Sequence, residues 1–180
     1  MKIKSCLLLL VLACLMTSCF NETGSQSTPM MRFSKVYVNP QMVGDSLIGA
    51  QDTLGSYYSE EFNMEYVDTL QLGDTAMFYA MFEAFMNNLV SINATYDSVR
   101  VKMWYDIDPE NESMKKMLAS GSQPEKGVLF FNPMYHGVVF PIYILPLEAG
   151  AHAIKMTVIS DSQYPKREAI FTMPVKATNF

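Results

Sequence analysis

Cysteine is almost absent from this sequence, and its few positions decide a good deal. The chain of 180 residues holds three, Cys6, Cys14 and Cys19, and none follows them. From Phe20 onward there is no thiol, so the body of the chain has no disulfide, no cysteine nucleophile and no thiolate metal ligand. Histidine is nearly as scarce. Only His136 and His152 could act as imidazole bases, and two histidines without a cysteine do not make a structural zinc site. No Gly-x-Ser-x-Gly elbow and no phosphate-binding glycine loop occurs, so no cofactor is expected. Basic residues number 13 against 18 acidic ones and form no stripe, which removes the electrostatic footprint that a nucleic acid requires. What remains is apolar: 49% of residues are hydrophobic. A chain of this length buries about 70% of its unfolded surface, enough for one domain with its own core.

The first residues read as an address. Lys2 and Lys4 are followed by the unbroken apolar run from Leu7 to Leu12, which continues through Met16. That is signal-peptide length, shorter than the roughly 20 residues that cross a bilayer as a helix. Thr17 and Ser18 precede Cys19, and the chain then turns polar. The segment resembles the lipobox of bacterial lipoproteins, with Met16 where a branched residue is usual. The resemblance implies a signal peptide over residues 1–18, acyl chains on Cys19 and a flexible tether over 19–29. Cys14, preceded by Val11, Leu12 and Ala13, fits the same pattern. It would strand Leu15 and Met16 beyond the cut, so Cys19 is the preferred attachment residue and Cys14 its rival. Burial of acyl chains is worth about 0.8 kcal/mol per CH₂, and two chains hold where one is marginal. The expected partner is therefore a membrane, reached by lipid alone, since loss of Lys2 and Lys4 takes the formal charge from −5 to −7. Only Glu22 stands as an acidic residue just after Cys19; this favours the periplasmic side of an outer membrane over the cell surface.

The body reads as strands. Residues His152 to Ile159 alternate with a period of two, as do Ser98 to Tyr105 and Ala169 to Lys176. Pro174 removes a ladder donor and marks the last of these as an edge or terminal strand. Further strands are expected at Arg32–Val38, Glu65–Leu72, Ala76–Phe85, Leu89–Tyr96, Val128–Phe131 and Val138–Leu145. Ala76–Phe85 would also suit a buried helix by composition. One short helix is expected at Glu112–Ala119, inside an insertion closed by Gly121 and Pro124. Eight or nine strands without strand–helix alternation point to an all-β antiparallel sandwich over residues 30–180.

The stretch from Gly150 to Asp161 (GAHAIKMTVISD) resembles the Gly-x-Tyr-x-Val-x-x-x-Val-x-Asp strand of PKD-like, immunoglobulin-like domains, with His152 in the tyrosine position. Leu72-Gly73-Asp74-Thr75 is similar to the start of their second core strand, and Trp104 falls on the strand that carries their core tryptophan. Together with the lipobox, the chain resembles the small lipoproteins of Bacteroidetes. That resemblance implies a fold and a location but no reaction.

Chemistry is thinly marked. His152 is expected to satisfy a backbone group at a strand entry. His136 lies in the loop Pro133-Met134-Tyr135-His136-Gly137, where an aromatic loop suits recognition. Asp106, Asp108, Glu110 and Glu112 alternate along one segment but lack the glycine turn and terminal glutamate of a calcium loop. The 15 methionines raise the question of Cu(I), which thioethers bind. Met77, Met81, Met103, Met156 and Met173 sit at apolar-face positions, where core packing accounts for them, and the Met114/Met117 pair belongs to the amphipathic helix. Asp followed by Ser or Thr recurs, at Ser46, Thr53, Thr69, Thr75 and Ser98. This is similar to the O-glycosylation acceptor pattern of Bacteroidetes, though Asp-Ser/Thr is also ordinary turn chemistry. The leading expectation is a lipid-anchored, non-enzymatic binding or assembly module. It would present loops around Tyr57-Tyr58, Asn111–Gly127 and Tyr135-His136 to a glycan, polypeptide or membrane-protein partner. The alternatives are an envelope hydrolase using carboxylates and a purely structural envelope protein.

Overall fold

A computed structural model of the chain describes residues 28–43, 46–52, 62–63, 70–108, 111–163 and 167–179. Cys14, Cys19, the signal segment and the tether through Ser27 lie outside these, as do Thr53, Tyr57-Tyr58 and Thr69. In chain order the strands are β1 (Met30–Val43), β2 (Ser46–Asp52), β3 (Phe62–Asn63), β4 (Leu70–Gln71), β5 (Ala76–Glu83), β6 (Leu89–Thr95) and β7 (Val101–Tyr105). Helix α1 (Glu112–Met117) follows, then β8 (Val128–Phe130), β9 (Gly137–Pro146), β10 (Gly150–Ser160) and β11 (Glu168–Thr178). They form two sheets. Sheet A runs β2-β1-β5-β9-β7, and sheet B runs β3-β11-β10-β6-β8 with β4 also on β11. The architecture is the all-β, immunoglobulin-like sandwich expected from the sequence. Among the described residues all strand pairings are antiparallel except the two-residue bridges of β3 and β4 to β11.

Alternation places the core. Ala76, Phe78, Ala80 and Phe82 of β5 and Val138, Phe140, Ile142 and Ile144 of β9 point inward from sheet A. Ile154, Met156 and Val158 of β10 and Phe171, Met173 and Val175 of β11 meet them from sheet B. Burial of each such large side chain is worth about 1.5–3 kcal/mol. The helical alternative for Ala76–Phe85 does not hold: the segment is a strand ending at Glu83, paired on both sides by β1 and β9. β2 and β3 were not legible as strands. Pro174 sits on β11 between the bridges to β3 (at Phe171 and Thr172) and to β4 (at Ala177 and Thr178), so its missing donor falls in a gap.

The insertion between β7 and β8 covers a sheet edge. Asn111 caps α1, its Oδ1 accepting from the Ser113 and Met114 N–H groups at 2.9 and 3.4 Å. The helix stops at Met117, two residues short of the sequence expectation, because Leu118 turns extended and bridges Phe131. Asn132 Nδ2 donates to the Lys116 and Leu118 carbonyls there. A 3-10 turn at Pro124–Lys126 leads to Gly127, buried and left-handed at φ 74. Gly127 lies against Ala94 of β6 and Met103 of β7, and Tyr96 Oη donates to the Met103 carbonyl at 3.0 Å. An open strand edge is a template for unwanted pairing; here the chain covers its own.

Candidate functional site

With one face of each sheet in the core, the outer face of sheet A is the surface that stands out. Strand period two sends Tyr37, Met77, Tyr143 and Trp104 outward, and the register sets them side by side across four strands. A second row pairs Tyr79 with Pro141, a third pairs Arg32 with Met81 and Met81 with Val139, and Leu145 lies opposite Lys102. Nine apolar or aromatic side chains thus share one face. Val139 is 55% exposed and Tyr79 42%, while Met77, flanked in register by two tyrosines, is only 2% exposed. Met77 and Met81 therefore belong to this outer face and not to the core, which corrects their expected placement; Met103, Met156 and Met173 are core residues.

Polar groups hold the face in shape. Trp104 and Tyr143 stack with centroids 5.3 Å apart and planes 13° from parallel. Lys102 Nζ lies over the Trp104 ring, 5.1 Å from its centroid. Trp104 is thus not the core tryptophan the resemblance implies. Burial raises the Tyr143 hydroxyl above the ordinary tyrosine range, and the Asp106 carboxylate, which it hydrogen-bonds, pushes the same way. Arg32 pairs with Glu83 at 3.6 Å. The outer face of sheet B differs, carrying Lys155, Thr157, Thr172, Lys176 and Asn93 among its apolar residues.

One end of this face runs into a stitched loop pair. The turn between β5 and β6 and the loop before β9 are joined by Ala84 N–H to the His136 carbonyl and Leu89 N–H to the Tyr135 carbonyl, both 2.7 Å. Asp161 clamps the turn from β10, its two carboxylate oxygens accepting from the Asn88 main-chain N–H and Nδ2 at 2.7 Å each. The aspartate that closes the PKD-like motif is therefore a loop anchor. Asn88 Oδ1 in turn accepts from the Met134 N–H at 3.1 Å. His136 Nδ1 meets the Asn87 carbonyl at 2.8 Å. Phe85 and Met134 hold positive φ, 58° and 94°, a conformation that costs a non-glycine residue about 1–2 kcal/mol. His136 lines an open groove of about 280 Å³ with Met81, Glu83, Phe85, Gly137 and Val139.

The other sequence candidates scatter. His152 Nε2 meets the Glu148 carbonyl at 2.8 Å, the backbone role expected of it. Tyr135 packs against the core, while His136 beside it is exposed; Gly127 is buried against β6 and β7, and most of residues 111–126 are exposed. Asp106 turns to Tyr143 and Glu112 to Lys115 at 3.7 Å; Glu110 lies outside the described residues. No group of three His, Cys, Asp or Glu residues suited to a metal ion occurs among the described residues. Among the acceptor-pattern residues, Ser98 is exposed in the turn before β7. Thr75 is half-buried, its N–H donating to Asn39 Oδ1 at 2.9 Å while Asp74 accepts from Asn39 and Gln71. Ser46 begins β2. The outer face of sheet A was missed in the sequence because apolar residues on both sides of Ala76–Glu83 looked like core. The cross-strand aromatic row was the missing signal, and it requires the register.

No family model and no curated protein matches the chain. Among solved structures it is similar to the ASH/PapD-like domain 7 of human CEP192, at 14% identity and TM-score 0.32 over 62% of this chain and 82% of that one. It is similar to the N-terminal domain of PorA, at 13% identity and TM-score 0.34 over 79% and 97%. A family 123 glycoside hydrolase from Clostridium perfringens matches at 10% identity and TM-score 0.27, over 61% of this chain and 23% of that one. These values carry no functional argument.

Proposed function

We propose that the chain is a non-enzymatic binding module, tethered to a membrane through lipid on Cys19, that presents the outer face of sheet A to a protein partner. The observation that carries this is the row Tyr37–Met77–Tyr143–Trp104, three aromatic rings about a buried methionine, with Tyr79 and Val139 exposed beside it. A contiguous apolar patch rimmed by charge is what a soluble monomer avoids and an interface uses. The rim here is Arg32, Glu83, Lys102 and Asp106, of both signs, which suits orientation of a polypeptide surface. A protein is favoured over a glycan because Trp104, the largest platform, is already engaged: Tyr143 stacks on it and the Lys102 ammonium lies over it. The stitching of the loops and the covered β7 edge make the face rigid, so little ordering entropy opposes docking.

Charge placed on the face tests this. Val139→Asp and Tyr79→Asp replace exposed side chains and leave the core alone. Each is expected to lower recovery of the partner from native membranes at least tenfold, whereas Ile170→Asp on the outer face of sheet B leaves it unchanged. Equal recovery with all three variants sinks the reading.

A further inference from the structure

We infer that the partner on the outer face of sheet A is a second copy of this chain, docked about a two-fold axis that runs along the strands between β5 and β9. The inference rests on the reading of that face as a docking surface. A closed homodimer uses one patch twice, so the patch must complement itself. The relief of the face does so. Tyr79 of β5 stands out at 42% exposed, while its register partner Pro141 of β9 is half-buried. Two residues along, the order reverses: Val139 of β9 is 55% exposed and its partner Met81 of β5 is half-buried. An axis between β5 and β9 exchanges the two strands. It sets Tyr79 on Pro141 of the second copy and Val139 on Met81 of the second copy, so each projection meets the lower residue.

The charges exchange in the same way. β1 carries Arg32 in the row of Met81 and Val139, held by Glu83 at 3.6 Å. β7 leads to Asp106, whose N–H bonds the Pro141 carbonyl one row away and whose carboxylate bonds the Tyr143 hydroxyl. The axis lays β1 of one copy over the β7 side of the other, so an Arg32–Asp106 contact forms twice, once at each edge. Within one chain β5 and β9 lie between these two residues, a separation of roughly 14 Å at about 4.8 Å per strand. The rim has two charges of each sign, Arg32 and Lys102 with Glu83 and Asp106, so copies of a chain of formal charge −5 do not repel through this face. Four strands and five rows of the register cover roughly 650 Å² on each copy, or about 1,300 Å² in both. That exceeds the roughly 1,000 Å² that a specific interface needs. Stacked sheets cross at about 30°, and contacts near the axis, those of β5 and β9, are the ones such a crossing preserves. An axis along the strands also leaves the Met30 ends of both β1 strands at one end of the dimer, where lipids on two Cys19 residues enter one membrane. An axis across the strands sends those ends apart.

The test is sedimentation equilibrium of the purified full-length chain in density-matched detergent. The wild type is expected to be a dimer. Arg32→Glu and Asp106→Arg each oppose like charges at both edges, and each is expected to weaken the dimer at least tenfold. Mixed in equal amounts, the two variants regain an opposite pair at both edges, and the mixture is expected to dimerise as the wild type does. Neither misfolding nor a repair inside one chain produces that recovery. Val139→Asp is expected to give a monomer, and Ile170→Asp on sheet B to leave the dimer intact. A wild type still monomeric at about 100 µM, too weak for an interface of this size, overturns the inference, as does a mixture no more dimeric than its parts. A monomeric wild type whose Val139 and Tyr79 positions crosslink to a protein of another mass keeps the docking face and removes the second copy. A dimer broken by Ile170→Asp and not by Val139→Asp or Tyr79→Asp sinks both.

Discussion

Gly127→Ala measures how tightly the insertion is seated on the sheet edge. An added Cβ at Gly127 would stand 2.7 Å from Ala94 Cβ and 2.9 Å from Met103 Sδ, where carbon atoms pack at about 3.5–4.0 Å. Ala94 belongs to β6, paired with β10, so its Cβ cannot yield without moving a strand, whereas the flexible Met103 side chain can yield only within the core that encloses it. Overpacking of this kind costs about 1–3 kcal/mol. The left-handed φ of 74° adds about 1–2 kcal/mol for any residue with a Cβ. The total is roughly 2–5 kcal/mol, and a domain of this size loses about 2–4 °C of Tm per kcal/mol. Gly73→Ala is the control: it has a similar φ of 93° but nothing within 4 Å of its Cβ, so it pays the conformational cost alone. Urea denaturation of both variants therefore isolates the packing contribution, expected at about 1–3 kcal/mol. Gly127→Ala no more destabilising than Gly73→Ala would show that the insertion rests loosely on β6 and β7.

Tyr105 is wholly buried with no hydrogen-bond partner for its hydroxyl, so Tyr105→Phe is expected to stabilise the fold by about 1 kcal/mol. Burial first, and Tyr96 second, hold the Tyr105 hydroxyl well above the ordinary tyrosine range. Its neutral form is the native one, so the stability it leaves intact below about pH 10 falls as pH rises toward the native value, by roughly 1.4 kcal/mol per pH unit. Melting curves from pH 8 to 11 should therefore decline less steeply for Tyr105→Phe; parallel declines would refute the assignment. Asp161→Ala removes two 2.7 Å bonds to Asn88 and should cost about 1–2 kcal/mol. It should also speed amide exchange at Ala84 and Leu89, whose N–H groups stitch the loops; unchanged exchange there would assign the clamp no role.

Much of the fold was legible because alternation in β10, β11 and β7 is clean, with one apolar face and one mixed face. It was less legible in β5, where Met77 and Met81 on the outer side are as apolar as Phe78 and Phe82 on the inner side. Composition there cannot separate strand from helix, nor core from surface. The two-residue β3 has no period to read, while β4 is the described end of the strand expected at Glu65–Leu72, whose residues 65–69 lie outside the described ones. The candidate surface was illegible for a related reason. Tyr37, Met77, Tyr143 and Trp104 are drawn from four strands, and only the register brings them into one row. Asp161 was noted as part of a motif, but its partner Asn88 is 73 residues away. His152 was read correctly because its partner, the Glu148 carbonyl, is four residues distant.

The claim that the outer face of sheet A is where a partner docks is tested most directly by photo-crosslinking in intact cells. A photoreactive amino acid is placed singly at Tyr79 or Val139 on that face, and at Lys155 or Ile170 on the outer face of sheet B. Discrete adducts of one mass from Tyr79 and Val139, with none from Lys155 or Ile170, are the predicted result. Adducts from the sheet B positions alone, or from no position, would contradict it.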